Sequence, residues 1–165
     1  EVQRWELVEA QMRELEAQRR QCAQTEETVA ARQVRQLTRL NAIGATSAWL
    51  LVQEIFAWRQ LRNRREAGAL VGLTPTPYAS DGRQREQGIS KAGNRRARNK
   101  AIELAWLWLR HQPDSALSRW FRTRTANAGK RAKRVAIVAL ARKLIVALWR
   151  YLTTGLIPEQ AIMKA

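Results

Sequence analysis

The sequence has very little of the residue types that build cross-links and zinc sites. Its 165 residues include one cysteine, Cys22, so an intramolecular disulfide framework is excluded. The single histidine, His111, leaves no His/Cys cluster from which a zinc site could be assembled. We therefore expect the fold to be stabilised by a hydrophobic core, for which 45% of the residues are suitable.

Long hydrophobic runs are also absent. The longest, around residues 101–109 and 135–141, are far shorter than the roughly 18 residues of a membrane span, and Arg142 and Lys143 follow the second. The sequence therefore predicts no membrane-spanning segment and no membrane partner.

Acidic residues are scarce compared with basic ones. The chain has 30 lysines and arginines but 14 aspartates and glutamates, and its formal net charge is +16. Residues 1–27 contain more acids than bases, so the excess positive charge lies after them. Such a charge suits a polyanion, and nucleic acid is the first partner to consider.

The first 40 residues contain neither proline nor glycine, the residues that most often interrupt helices. Apolar residues recur there at the alternating spacing of three and four that is typical of a coiled-coil seam. They are Trp5, Val8, Met12, Leu15, Cys22 and Val29. Because the polar residues Arg19, Glu26 and Gln33 share one heptad position, either the partner helix tolerates them or only the first half is tightly paired. We predict one coiled-coil helix over residues 1–38, through which the chain forms homo-oligomers.

Residues 39–165 are predicted to form a helical domain with its core in residues 92–155. No useful period-two segment appears, so the predicted fold is all-α, a long N-terminal helix followed by a compact helical domain. The expected helices run from about Ala45 to Trp58, Asn63 to Val71, Asn94 to Arg110, Asp114 or Ser115 to Thr125, and Lys130 to Thr154.

Residues 37–58 resemble a helix-hairpin-helix motif, in which a tight glycine turn directs backbone N–H groups at a DNA phosphate. The motif is degenerate here, because the turn is Asn41-Ala42-Ile43-Gly44 instead of one with two glycines. It either keeps a phosphate contact or has become a structural corner.

The segment from Val71 to Lys100 is the strongest candidate for a functional site. Ser80 lies there in a predicted long loop over residues 72–91, which Pro75 and Pro77 stiffen. A serine in such a loop most often makes a local turn hydrogen bond, and Ser90 is better suited to a cap or a phosphate contact. Seven cations follow Ser80 over a short span: Arg83, Arg85, Lys91, Arg95, Arg96, Arg98 and Lys100.

Several linked motifs in this region resemble the C-terminal domain of transposases of the insertion sequence 110 and 1111 families. They are GLTPTPY at 72–78, the serine and glycine at 80 and 82, GISKAGNRR at 88–96, and LAWLWLRHQPDSALSRWF at 104–121. The resemblance implies an RNA-guided DNA recombinase whose catalytic serine here is Ser80, with Tyr78 and Gly82 positioning the loop. It also implies a prokaryotic cytoplasmic protein that is nucleoid-associated when bound to DNA.

The family resemblance further implies an N-terminal RuvC-like domain whose carboxylates bind Mg²⁺. This chain begins at Glu1 and does not contain that domain, so we expect it to be the C-terminal part of a longer protein. No metal ligands are assigned in the chain, and it is expected to bind nucleic acid but to cleave nothing alone. The expected partners are DNA and a structured guide RNA.

The predicted nucleic-acid contacts form two groups. The first group is near the serine: Arg83, Arg85, Lys91, Arg95 and Arg96. The second group, Arg131, Lys133 and Arg134, lies at the start of the predicted last helix. It belongs to a cluster of seven bases without an acid, which also includes Arg119, Arg122, Arg124 and Lys130. A basic face can also be merely solvated. Two alternatives to the recombinase therefore stay open: a non-catalytic nucleic-acid-binding module, and an inactive remnant of a truncated transposase.

Overall fold

The computed structural model describes the backbone of residues 1–80 and 83–164, and the side chains of these residues except 76–80 and 83–87. This described part is mostly helical, and the predicted all-α fold is confirmed. The helices are α1 (Val2–Thr25), α2 (Val29–Thr38), α3 (Ala45–Leu51), α4 (Arg64–Leu70), α5 (Arg95–His111), α6 (Ala116–Thr125) and α7 (Lys130–Thr154). A π-helical turn (Val52–Phe56) continues α3, and strands β1 (Pro75–Ser80) and β2 (Arg83–Ile89) form a small antiparallel ribbon. No helix in the described residues is long and apolar enough to cross a membrane.

The expectation of one uninterrupted helix over residues 1–38 was wrong. Glu26 has an extended conformation (φ −81°, ψ 138°), and Thr28 begins a new helix by accepting a hydrogen bond from the Ala31 amide at 3.1 Å. Arg35 holds the break closed, because its Nη1 donates to the carbonyls of Ala23 and Glu26 at 2.6 and 2.9 Å. A threonine that caps the following helix competes with continuation of the preceding one, which explains the break.

Only the last turns of α1 touch the rest of the protein. Ala23 is buried, Cys22 packs against the core, and the indole nitrogen of Trp49 donates to the Arg19 carbonyl at 3.1 Å. A hydrogen bond to the Glu26 carboxylate raises the pKa of the Cys22 thiol. The seam residues of the first half are exposed over 53 to 68% of their surface: Trp5, Val8, Met12 and Leu15. This half of α1 is therefore an extension with an uncovered apolar stripe.

Helix α7 lies at the centre of the helical domain and packs against α2, α4, α5 and α6. Its buried residues are Ala136, Ile137, Leu140, Ala141, Leu144, Ile145, Leu148 and Tyr151. They recur every three or four residues, so one broad face of the helix joins the core. Gly155 then ends α7 with a left-handed φ of +75°, a conformation that glycine adopts without steric cost.

The final segment, residues 158–164, folds back over the corner between α2 and α3. Leu40 and Met163 form an isolated antiparallel bridge, and the Lys164 amide donates to the Arg39 carbonyl at 2.7 Å. Gln112, which is fully buried, joins this segment to the corner. Its side-chain amide forms hydrogen bonds with the Asn41 carbonyl and with the carbonyl and amide of Ile162, at 2.6 to 2.9 Å.

Candidate nucleic-acid interface

Ser80 is the last residue of β1 and is paired with Arg83, the first residue of β2. In the same register Tyr78 opposes Arg85 and Pro77 opposes Glu86, with an irregularity between Pro75 and Pro77. The segment expected as a long loop is therefore mostly a two-stranded ribbon. Pro75 and Pro77 argued against a strand. In the described residues β1 pairs with β2 alone, so its other edge is unpaired, and the unpaired edge of a sheet tolerates proline. The Asp81-Gly82 dipeptide in the sequence is typical of short hairpin connections and was the overlooked signal.

Several predicted site features lie outside what the structure describes. Gly82 is outside the described residues, so its predicted role in positioning the loop stays a prediction. The same holds for the side-chain roles of Tyr78, Ser80, Arg83 and Arg85, whose backbone positions alone are described.

The base of the ribbon depends on two glycines with left-handed φ values. Gly72 (φ +65°) lies against the Ala92 carbonyl, and Gly93 (φ +121°) lies against the Leu70 carbonyl. A β-carbon at either glycine would overlap the facing oxygen. The two chain segments that enter and leave the ribbon can therefore meet only because both residues are glycine.

Hydrogen bonds close this base. The Ser90 amide donates to the Thr74 carbonyl at 2.8 Å, and the Lys91 amide donates to the Gly72 carbonyl at 3.2 Å. The Ser90 hydroxyl is half-buried and lies 3.4 Å from the Thr74 hydroxyl. Ser90 thus closes the base of the ribbon, and the α5 cap that its sequence context favoured is provided by Asn94 instead.

Asn94 connects the ribbon to the start of α5. Its backbone amide donates to the Leu70 carbonyl at 2.9 Å, while its side-chain oxygen accepts from the Ala97 amide at 3.0 Å and so caps the helix. The side-chain nitrogen donates to the Glu54 carboxylate at 2.5 Å. Glu54 lies in the π-helical turn, so one asparagine fixes the N-terminus of α5 against two other elements.

Three of the predicted phosphate contacts meet at this point. Lys91, with a left-handed φ of +54°, and Arg95 and Arg96 are all exposed around the first turn of α5. The unpaired amides of a helix N-terminus add partial positive charge there. Glu54 lies 3.4 Å from the Arg96 guanidinium and offsets part of this charge. Among the described residues, Lys91 and Arg95 form no ion pair, whereas Glu54 partly neutralises Arg96.

Arg98 has a structural role that its place in the basic sequence did not reveal. Its guanidinium turns inward and donates to the carbonyls of Val71 and Lys91 at 3.3 and 3.0 Å. It therefore ties α5 to both ends of the ribbon base. The sequence could not reveal this role, because there Arg98 is one of several neighbouring cations. The role becomes visible when the fold brings the two carbonyls close to the guanidinium.

The second basic group surrounds the start of α7. Arg131, Lys133 and Arg134 are exposed in its first two turns. Beside them is a shallow groove of about 590 Å³, whose lining includes Arg124 from α6 and the apolar residues Val135 and Ala139. The fold thus brings Arg124, a member of the same predicted cluster, close to the start of α7.

The degenerate hairpin corner has little capacity left for phosphate. The Asn41 amide donates to the Ile162 carbonyl at 3.0 Å, the Ala42 amide to the Asn41 side chain at 3.0 Å, and the Ile43 amide to the Leu40 carbonyl at 3.2 Å. Because these three N–H groups are already used, the structure favours the structural-corner interpretation.

Within the described residues, no group of three or more His, Cys, Asp or Glu side chains is arranged to hold a metal ion.

Residues 34–118 match the model of the family described as "Transposase IS116/IS110/IS902 family", which covers 85 of the 165 residues. The match extends from α2 into α6 and includes the ribbon and its base. The chain belongs to this transposase family. The predicted resemblance to insertion sequence 110 transposases is thereby confirmed.

Two curated relatives of this transposase chain support the assignment. It is 50% identical over 129 residues to "Putative transposase y4rJ" of Sinorhizobium fredii, an alignment that covers 78% of this chain and 32% of that protein. It is 26% identical over 121 residues to "Transposase for insertion sequence element IS1328" of Yersinia enterocolitica, covering 72% and 35%. The chain spans about a third of the length of these curated relatives.

Proposed function

We propose that this chain is the C-terminal part of a transposase that binds DNA and a structured guide RNA and supplies Ser80 as the nucleophile for DNA strand cleavage and exchange. The membership in a transposase family supports the general activity. The position of Ser80 in the ribbon supports the specific role, and it is the observation on which the proposal rests.

The backbone register of the ribbon supports this role. In an antiparallel pair, directly opposed residues and every second residue along a strand belong to one face. The backbone positions of Tyr78, Ser80, Arg83 and Arg85 therefore belong to one face of the ribbon. We propose that a phosphodiester bound there is attacked by the Ser80 hydroxyl and held by Arg83 and Arg85, because guanidiniums match phosphate oxygens bidentately.

In the proposed step, the Ser80 oxygen forms a bond to phosphorus while one bridging P–O bond of the DNA breaks. The serine proton passes to a base, the departing strand oxygen takes up a proton to become a free hydroxyl, and the DNA remains joined to the protein as a phosphoserine. Arginines stabilise the negative charge that develops on the phosphate oxygens. Attack by another strand's hydroxyl then reverses the bond changes and exchanges the strands.

The carboxylates for Mg²⁺ are proposed to come from an N-terminal RuvC-like domain, because the described acids of this chain form no metal-binding group. We accordingly expect no serine-linked DNA adduct when this chain alone is incubated with Mg²⁺ and cognate DNA. An adduct formed by the chain itself would show that the complete catalytic site lies within these 165 residues.

The exposed stripe on α1 supports self-association. Four large apolar residues at coiled-coil spacing are uncovered there, a pattern that a second copy of the helix would bury. We propose that oligomerisation through α1 brings each Ser80 close to the metal-binding domain of the same or another subunit. As a DNA-bound recombinase, the protein would act in the cytoplasm at the nucleoid.

The test compares Ser80→Ala with Ser90→Ala in the full-length transposase. Ser80→Ala should lower strand cleavage by at least about 10³-fold, because the attacking atom is removed, while DNA affinity stays within about twofold of the original. Ser90→Ala serves as the control and should still cleave DNA. Cleavage that survives Ser80→Ala would make this chain a non-catalytic nucleic-acid-binding module.

A further inference from the structure

An exposed tryptophan lies among arginines in the segment between the π-helical turn and α4. Trp58 is 63% exposed, and the guanidinium carbon of Arg59 lies 4.2 Å from the centroid of its ring. Arg62, Arg64 and Arg65 follow and are also exposed. We propose that residues 58–65 form a binding site for single-stranded nucleic acid, in which an unpaired base stacks on Trp58.

The indole ring is already held in place. Its Nε1 donates to the Gln53 carbonyl at 2.7 Å. Gln53 belongs to the π-helical turn, where Ala57 donates to Val52 at 2.8 Å, and so the ring is fixed to the end of a regular element. A side chain that is ordered before binding loses little conformational freedom on binding, which favours affinity.

The ring also has a free face. The Arg59 guanidinium covers one side of Trp58, so much of the exposed 63% lies on the other side and along the edges. A tryptophan with this exposure keeps a large apolar surface in water, and a planar base can cover it. Stacking on an aromatic ring accepts any base, since every base has a π-face.

The charge of the segment suits the phosphates that flank such a base. Its four arginines make no ion pair with a carboxylate in the described part of the chain. The nearby acid, Glu66, is used by the start of α4: its carboxylate accepts from the Arg62 amide at 2.8 Å and from the Asn63 side chain at 3.0 Å. The guanidiniums are therefore available to phosphate, which they bind with more than one hydrogen bond.

The site is connected to the base of the ribbon along two routes. Helix α4, about 10 Å long at seven residues, leads from Arg65 towards Gly72. On the other side of Trp58, Glu54 bonds to Asn94 at the start of α5. A single strand held at Trp58 would thus be bound by the same helical domain that carries the proposed cleavage site, although the stacking site does not require Ser80 to be the nucleophile.

The experiment measures binding of the 165-residue chain to fluorescent oligothymidine, oligouridine and a DNA duplex. Trp58→Ala should weaken binding to at least one of the single strands about tenfold, while duplex affinity changes less than twofold. Trp58→Phe keeps a ring but loses the hydrogen bond to Gln53, and should retain most of the affinity. The oligonucleotide whose affinity falls more in Trp58→Ala is the preferred strand: oligothymidine indicates DNA, and oligouridine indicates RNA.

Trp106→Ala is the matched control. Trp106 is 52% exposed and its ring meets Phe121 edge to face at 6.4 Å, and no guanidinium of the described side chains stacks on it. This variant should bind single strands as the original chain does. The inference is overturned if Trp58→Ala with unchanged helical circular dichroism binds both single strands normally, or if it alters only the sedimentation of the protein, which would assign the ring to a protein contact. The cleavage result for Ser80→Ala is independent of these binding results, so a failure of this inference can be told apart from a failure of the proposed function.

Discussion

Gly72 and Gly93 decide how closely the two ends of the ribbon approach each other. Each glycine faces a carbonyl oxygen of the opposite segment at a distance that leaves no room for a side chain. Both also have left-handed φ values, so a substitution there combines a steric overlap with backbone strain. The position of Ser80 relative to α5 therefore depends on two residues that have no reactive side chain.

Gly93→Ser should lower the free energy of unfolding by about 2–4 kcal/mol, because the new β-carbon collides with the Leu70 carbonyl and φ is +121°. Urea unfolding followed by circular dichroism measures the change. Gly129→Ser is the matched control, since its β-carbon meets open space and φ is −65° at the N-cap of α7. It should leave stability within a few tenths of a kcal/mol or raise it. Equal losses in both variants would contradict the proposed close approach.

Most individual helices could be predicted from their ends. The limits of α7 agree with the sequence, since Lys130 follows a turn and Gly155 ends the helix. Ser115 caps α6 as one of the two predicted candidates. These features are local: a cap and an apolar period lie within a few neighbouring residues, so the sequence displays them directly.

The elements that escaped prediction depend on distant or competing contacts. The break before Thr28 interrupts a segment that contains neither proline nor glycine, and Arg35 stabilises it from the next helix. The ribbon contradicts the local preference of its prolines. Residues 158–164 have no regular structure of their own, and their position follows from Gln112, which is far away in sequence. The candidate site was found through its motifs, whereas its anchoring by Glu54 appears only in three dimensions.

Gln112→Met should release residues 158–164 from the corner between α2 and α3. Methionine has a similar size but leaves the Asn41 carbonyl and both backbone groups of Ile162 without their partners, at a cost of about 3 kcal/mol. Hydrogen exchange at the Ile162 amide should become much faster. Gln60→Met, at an exposed position, is the control and should change neither exchange nor stability. Slow exchange at Ile162 in the Gln112 variant would contradict this role.

The charge of the whole molecule predicts strongly salt-dependent binding. Five phosphate contacts near the ribbon alone imply a slope of about −4.5 for log affinity against log salt on duplex DNA. The double variant Lys91→Gln, Arg95→Gln should reduce the steepness of this slope by about 2, because two counterion-releasing contacts are lost. Arg4→Gln, within residues 1–27 where acids outnumber bases, should leave the slope unchanged. Affinity that is insensitive to salt would refute the electrostatic account.

The oligomeric state can be tested on α1 with two leucines that differ in their heptad position. Leu15→Glu introduces a charge on the apolar seam and should lower the sedimentation coefficient towards that of the monomer. Leu7→Glu is the control: Leu7 is similarly exposed, 59% against 54%, but lies off the seam. Unchanged sedimentation of the Leu15 variant would show that the coiled coil does not hold the subunits together.

Residues 158–164 determine when the corner between α2 and α3 can finish folding. Lys164 bonds to Arg39 and Ile43, so this corner stays open until that segment has been synthesised. At ordinary rates of translation, the interval between the synthesis of the corner and of its cover is about 6–25 s. During this time Leu40 and Ile43, which are fully buried in the finished protein, are without their final covering. A nascent transposase therefore carries an apolar corner that a chaperone can recognise and that residues 158–164 then conceal.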